Sequence, residues 1–405
     1  MTDSPDGGDV AIDVAIVGAG LVGRPLAVAL SRQGWRVVLI DRQIDDAASA
    51  LANLDELDQR CTALSAGSVD WLSEHGLWKP ALADAHAMHQ VHVSQHGFFG
   101  STRIDARDAD REVLGWTIEN RRFTASLEGP LAECDVRVLT GRCVRSIDQQ
   151  QDSVVLTLAR SDGIDGSQRL QTRLLVIADG ARSATAELLG IGSRESQHQQ
   201  WASLTTVRTD QDHLGIARER FTDSGPLALL PRPGRVLSVV ACHDELQMQH
   251  IQTLDDAGFL AWLAERMPSR SGRPLQLGPR TLLPLSRIES DRQHLGRSVL
   301  MGNAARLLHP VAGQGYNLAL RDVATLVDAL ATTSDPGDTG VLETWLADRR
   351  NDQHASVVLT DGLARVFRGR NRVLGHARAG GLMTLDLVSA ARRGFVRATT
   401  RGPLL

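Results

Sequence analysis

The stretch Ile12-Asp13-Val14-Ala15-Ile16-Val17-Gly18-Ala19-Gly20-Leu21-Val22-Gly23, followed by Leu26–Leu30 and by Arg36-Val37-Val38-Leu39-Ile40-Asp41, decides the fold. Val10–Val17 is mostly apolar and β-branched, the composition of a strand buried on both faces. Gly18 permits a sharp exit from that strand, Gly20 lets a pyrophosphate approach the backbone, and Gly23 lets a helix pack against the sheet. The helix is expected to end near Gly34, a favourable C-cap, and a second buried strand then ends at Asp41. Two parallel strands joined by a helix form a βαβ unit. The helix N-terminus offers free N–H groups and the positive end of its dipole to phosphates. Asp41 lies 18 positions after Gly23, where a carboxylate accepts hydrogen bonds from an adenosine ribose. The same charge repels an NADP 2′-phosphate at this site. A tight turn that binds nothing would leave the terminal acid without a role, so the stretch predicts a dinucleotide site.

Composition narrows the rest. A chain of 405 residues, 42% hydrophobic and 23% charged, has the balance of an ordinary globular protein with two or three domains. A net charge of -4 argues against a general nucleic-acid binder, which needs a basic excess to neutralise phosphates. Cys61, Cys134, Cys143 and Cys242 show no C-x-x-C spacing, so they read as reduced thiols of a cytoplasmic protein. Lys79 is the only lysine among 44 basic residues, which argues against a P-loop and against Schiff-base chemistry. Met1–Asp9 is acidic and polar, unlike a secretory signal. No apolar run reaches the roughly 18 residues of a membrane span.

Two further apolar strands end in glycine-bearing turns: Leu174–Ala178 before Asp179-Gly180, and Ser298–Met301 before Gly302-Asn303. Between them, Trp201–Pro284 carries alternating runs and turn signals such as Pro231-Arg232-Pro233-Gly234, the pattern of antiparallel sheet. Met88–Ser94 alternates in the same way. From Glu343 onward the pattern is helical. The loop from Met301 leads to a helix expected to start near Asn317, with Gly313 and Gly315 flanking Gln314, and it holds the chain's only tyrosine, Tyr316. Such a loop lets backbone N–H groups face a flat electron-rich ring or a phosphate.

Taken in order, these motifs resemble those of the class A flavoprotein aromatic hydroxylases, the p-hydroxybenzoate-hydroxylase-like monooxygenases. The resemblance is greatest to the ubiquinone-biosynthesis hydroxylases, the 2-polyprenyl-6-methoxyphenol hydroxylases in particular. It spans nearly the whole chain and rests on Gly18–Gly23, Asp58-Gln59-Arg60 with Ala63-Leu64-Ser65, Ala178-Asp179-Gly180, Phe221-Thr222, Gly225–Pro231, His309–Leu318 and Gly381–Thr384. It implies an α/β fold: a Rossmann-type FAD-binding domain, an inserted antiparallel-sheet substrate domain and a helical C-terminal region. The expected division is 1–80, 106–192 and 286–340 for the FAD-binding parts, 81–105 and 193–285 for the substrate sheet, and 341–405 for the helices. By resemblance, FAD lies across Gly18, Gly20 and Gly23 with its ribose on Asp41, and Arg60 contacts the flavin side. Asp179 and Gly180 serve FAD and the passing nicotinamide. Pro310, Gly313, Gln314, Gly315 and Asn317 lie against the isoalloxazine. Asn303 stands where the wider family has aspartate, and its amide oxygen can still accept from the ribityl chain.

The chemistry implied is hydroxylation of a polyprenyl-substituted methoxyphenol, para to the phenol oxygen. NADH or NADPH reduces the flavin, O2 adds to give a C4a-hydroperoxide, and its distal oxygen attacks the ring. Another ring position or another aromatic substrate is the nearest alternative. A weakly active FAD-binding scaffold subunit of a quinone-biosynthesis complex is the alternative outside enzymes, kept open by Gly302-Asn303. His309 is the first candidate for proton traffic, with a structural imidazole as the plainer reading, and Tyr316 could bond a phenol or simply pack. His86, His89, His92 and His96 fit strand alternation better than a metal site. From Arg365 to Leu405 there are nine arginines against the single acid Asp386, so a basic amphipathic segment resting on the inner face of the membrane competes with a packed terminal helix.

Overall fold

The computed structural model describes residues 12–43, 60–78, 85–163, 166–309, 313–366, 372–389 and 391–394. Its first sheet is built on a parallel core. Ile12–Val17 pairs in parallel with Val37–Ile40 on one side and with Gln168–Ile177 on the other. Val136–Leu139 extends it beyond Val37–Ile40, and Ser298–Leu300 extends it beyond Gln168–Ile177, again in parallel. Ile12–Val17, Val37–Ile40 and Ser298–Leu300 are buried along their whole length, as suits their mostly apolar composition. The helix Gly23–Arg32 connects the first two strands. Two apolar clusters flank this sheet: Val14, Ile16, Leu39 and Leu174 join helix residues such as Leu26 and Leu320 on one face, and Ala15, Val38, Ile40 and Leu175 join Val154 and Leu156 on the other. Because the strands are parallel, Gly18, Asp41, Asp179 and Gly302 all follow strand ends at one carboxyl edge, where open α/β sheets bind ligands.

The second sheet is mostly antiparallel and has nine strands among the described residues. Segments distant in sequence meet in it. Gln90–Gln95 and Ser101–Asp105 join strands running from Ser193 to Ser290, with Gln90–Gln95 lying parallel to Ile216–Phe221. The short strand Arg306–Leu307 closes the far edge against Thr281–Ser290. One face of this sheet packs Val207, Leu227, Leu229, Val239 and Ala241 against Phe259, Trp262 and Leu263 of the helix Asp256–Arg266. A third sheet of three strands, Cys61–Ser65, Gly115–Glu119 and His86–Met88, lies between these systems in the chain.

The helix after the glycine loop is Gln314–Leu330, three residues earlier than the expected start near Asn317. It is clamped to the helix Thr339–Val366 by two charge pairs, a buried one from Arg349 to Asp322 at 2.8 Å and a half-buried one from Arg321 to Asp352 at 2.9 Å. The last helix, Arg372–Leu387, packs on the strand Ser101–Asp105, where Asp386 accepts a 2.8 Å bond from the Arg103 backbone N–H. No described helix is long and apolar enough to cross a membrane.

Candidate active site

The glycine turn is shaped by contact. A Cβ on Gly18, whose φ is +109°, would stand 2.4 Å from the Ala178 carbonyl oxygen, and one on Gly23 would stand 1.9 Å from the Gly18 oxygen. Both positions are closed to any side chain, because strand, turn and helix touch there. At Gly20 a Cβ would meet nothing within 4 Å, so the turn presents bare backbone to open space. Arg24, fully buried, donates 2.5 Å from its Nε to the Ala19 carbonyl and pairs with Glu128, fixing the turn from behind. Asp41 reaches back across the strand ends. Its Oδ2 accepts from the Ala19 N–H at 2.6 Å and its Oδ1 from the Gln43 N–H at 2.8 Å. Each of these oxygens keeps a lone pair for a sugar hydroxyl.

Asp179 stands beside the turn at the end of the neighbouring strand. Its Oδ2 accepts from the Thr185 hydroxyl at 2.8 Å, while its Oδ1 is buried without a hydrogen-bond partner. A buried, unfilled acceptor on an edge with an open glycine backbone fits a ligand that brings hydroxyl or N–H donors. Gly180, with φ +100°, faces open space, and Gly302, with φ +59°, abuts the Val22 side chain, so the later strand ends close on the first. Asn303 is exposed on this edge. The residues present therefore fit the adenylate and pyrophosphate of FAD.

The second half of the site is the start of the Gln314–Leu330 helix. Gly313 takes φ +58°, and a Cβ on Gly315 would meet nothing. Pro310 lies outside the described residues. Asn317 is saturated by protein groups: its Nδ2 donates to the carbonyls of Ala63 and Gly313, both at 2.9 Å, and its Oδ1 accepts from the Ser65 N–H and the Ser68 hydroxyl. It pins the glycine turn to the strand Cys61–Ser65. Gln314 is buried in the first turn. Arg60 is exposed immediately before that strand and accepts, at its carbonyl, from the Asn120 N–H.

A cavity of about 290 Å³ opens between this wall and the second sheet. Cys61, Thr62, Ala63, Gly313, Gly315 and Tyr316 line one side, and Ala217, Glu219, Ala228, Leu230 and Val240 the other. A cavity of roughly 150 Å³ holds benzene, so this one accommodates a substituted aromatic ring but no long side chain. Tyr316 contributes its ring to the wall, while its hydroxyl points away and donates 2.8 Å to the Leu21 carbonyl of the glycine turn. Burial raises that phenol well above its ordinary range. His309 is 2% exposed and is not among the cavity's described lining residues. Sequence reading did not single out Glu219. Burial alone pushes its carboxyl up to about 7. The residue sits in an ordinary strand pattern, and only its assembled neighbours mark it.

A family model described as "FAD binding domain" matches residues 11–359. The chain is 32% identical to the ubiquinone hydroxylase UbiL of Rhodospirillum rubrum, over 96% of this chain and 89% of that protein. It is 28% identical to the 3-demethoxyubiquinol 3-hydroxylase of Escherichia coli, with 98% and 97% of the two chains covered. Among solved structures, p-nitrophenol 4-monooxygenase from Pseudomonas putida superposes with a TM-score of 0.79 over 98% of this chain and 99% of that one, at 18% identity, a likeness of fold. The glycine-lined strand edge, the ring-sized cavity beside it and these matches lead to one conclusion: the chain belongs to the FAD-dependent aromatic hydroxylases, in the group that includes the ubiquinone hydroxylase of Rhodospirillum rubrum.

Proposed function

We propose that this protein hydroxylates a polyprenyl-substituted methoxyphenol in ubiquinone biosynthesis, para to the phenol oxygen, using O2 and NADH or NADPH. The observation that carries this reading is the cavity itself, ring-sized and largely apolar, with the Gly313–Tyr316 turn on one wall. Bound FAD supplies the electron transfer and oxygen activation. The chain's share is to hold the cofactor and to keep water from the ring. Gly18, Gly20, Gly23, Asp41, Asp179 and Gly180 hold the adenylate half, with Asn303 at the same edge. Arg60, Gly313, Gln314 and Gly315 approach the flavin half, and Pro310 belongs to the same loop. Ala217, Ala228, Leu230 and Val240 exclude water from the ring. Hydroxylation at another position of the same ring is the alternative, because the cavity wall does not name an orientation.

A polyprenyl tail exceeds the cavity and must extend out of it. We place the protein's outer face, with Phe99 at 94% exposed and Val373 and Leu387 also exposed near a basic segment, against an anionic membrane from which the ring is drawn. Membership of a ubiquinone-biosynthesis complex belongs to the same proposal. The test is to supply prenylated phenols, in air, to the FAD-loaded protein with NADH or NADPH and to identify products by mass. Phenol-stimulated reductant oxidation with a product one oxygen heavier is expected. No stimulation by any phenol, or a protein that takes up no flavin, would overturn the proposal in favour of a scaffold.

A further inference from the structure

We propose that Glu219 binds the phenolic hydroxyl of the ring in the cavity and accepts its proton as the ring is attacked, an assignment that rests on the phenol-hydroxylase reading above.

The placement follows from sheet alternation. Glu219 lies on the strand Ile216–Phe221, opposite Ala228 on one neighbour and Val93 on the other, and Ala228 lies opposite Val240. Successive side chains on a strand face opposite ways. Leu227, Leu229, Val239 and Ala241 form the core behind the sheet, so Ala228, Val240 and Glu219 face the cavity. Glu219 thus puts one carboxyl into a wall that Ala217, Ala228, Leu230 and Val240 make largely apolar, with Arg218 beside it on the same strand.

No hydrogen bond or ion pair engages this carboxyl among the described residues, and burial is the sole cause of its shift. A carboxyl so placed costs stability and stabilises nothing in the protein, which is the signature of a group kept for a ligand. The groups around it offer no rival partner. The Cys242 thiol, on the strand beyond Ala228, is pushed up by burial and by Glu219 itself. Across the cavity the Cys61 thiol and the Tyr316 phenol are both raised by burial. Arg218, on the same strand, spends its guanidinium on the carbonyls of Ile216 and Arg270. Every other acid–base group facing the cavity among the described residues is therefore neutral at pH 7, or is a cation committed elsewhere.

The step balances as follows. The phenol O–H bond breaks and its proton passes to the Glu219 carboxylate. The electron pair left on oxygen flows into the ring, and a ring carbon forms a C–O bond to the outer oxygen of O2 that NAD(P)H has reduced to the peroxide level; the O–O bond breaks, and the other oxygen leaves with the bonding pair, takes up protons and ends as water. The resulting dienone loses the hydrogen on that carbon to water as a proton. Its carbonyl oxygen regains the proton held by Glu219, which returns to the carboxylate.

The experiment compares FAD-loaded wild type, Glu219→Gln and Glu219→Asp. In the wild type kcat rises with pH through about 7, as the carboxyl ionises. Glu219→Gln is expected to lose that limb and about 100-fold in kcat, with KM changed less, and Glu219→Asp is expected to restore the limb. A readout independent of turnover uses a nitrophenol whose anion is yellow. At one unit above its solution pKa, wild type holds the bound probe in its colourless neutral form, because a carboxylate repels the anion. Glu219→Gln binds a larger fraction of it as the yellow anion. Equal pH profiles and equal probe spectra in wild type and Glu219→Gln, with prenylated phenols still hydroxylated, would sink the assignment while leaving the phenol reading intact. Failure of wild type to bind or respond to any phenol would remove both.

Discussion

The nucleotide edge and the ring cavity lie on two sides of one site and are built by different rules. The edge is made of backbone. Gly18 and Gly23 are held by contacts that a Cβ would violate, at 2.4 and 1.9 Å, and Gly20 leaves the chain bare. The two carboxylates proposed to hold the cofactor there, Asp41 and Asp179, sit directly after strand ends. The cavity is made of side chains from segments distant in the chain, the strand Cys61–Ser65 and the helix Gln314–Leu330 facing the strand Ile216–Phe221. A binding edge for a shared cofactor tolerates little variation in backbone, whereas a substrate wall is tuned by exchanging side chains on a fixed sheet. The two regions should therefore fail differently when altered.

The largest contrast is expected from Gly23→Ala. Its methyl would overlap the Gly18 carbonyl, so the turn must open. FAD affinity should fall by roughly 100-fold or more, about 3 kcal/mol, measured by flavin fluorescence titration. Retention of wild-type affinity would show that the edge is less rigid than its contacts imply.

Glu219→Gln should do the opposite to stability. The carboxyl titrates at about 7 in the folded chain against an ordinary value of 4.5. Below 4.5 both states carry the proton and burial costs nothing extra. Between 4.5 and 7 the unfolded chain gives up its proton first, so the stability contributed by the neutral group is progressively lost as pH rises through about 7. The substrate-free variant should therefore gain about 3 kcal/mol over wild type at pH 8 and nothing at pH 4, read from denaturant midpoints. No gain at pH 8 would mean that the carboxyl is solvated in the cavity.

The smallest effect is expected on the outer face. Phe99, at the turn between Gln90–Gln95 and Ser101–Asp105, is 94% exposed, and the adjoining Phe98 ring packs at 5.1 Å on His376 of the terminal helix. Phe99→Ser should weaken sedimentation with anionic vesicles about fivefold, near 1 kcal/mol, without changing flavin content. Unchanged binding would detach this face from any lipid role.

Much of the edge was legible in the chain. The βαβ unit, the glycine turn, Asp41 and the turns after Ile177 and Leu300 all appear where apolar runs and glycines put them. Arg24 was not legible, because nothing in its local pattern announces a buried guanidinium aimed at Ala19. Asn317 was read as a cofactor contact, whereas its amide is spent on Ala63, Gly313, Ser65 and Ser68, bonds that depend on a strand some 250 residues earlier. Tyr316 was read as part of the loop, but it lies in the first turn of the helix Gln314–Leu330, and the direction of its hydroxyl toward Leu21 is a matter of packing.

By itself the sequence determined the elements whose information is local: periodicity that makes strands and helices, glycines where backbone must turn or come close, an acid one helix and one strand beyond the turn. Only the tertiary structure decided which strand faces meet, and with that the cavity, the saturation of Asn317 and the isolation of Glu219. The reason is that a side chain's solvent, partners and proton affinity are set by residues brought near in space, and a strand reads the same in sequence whichever wall its partners turn it into.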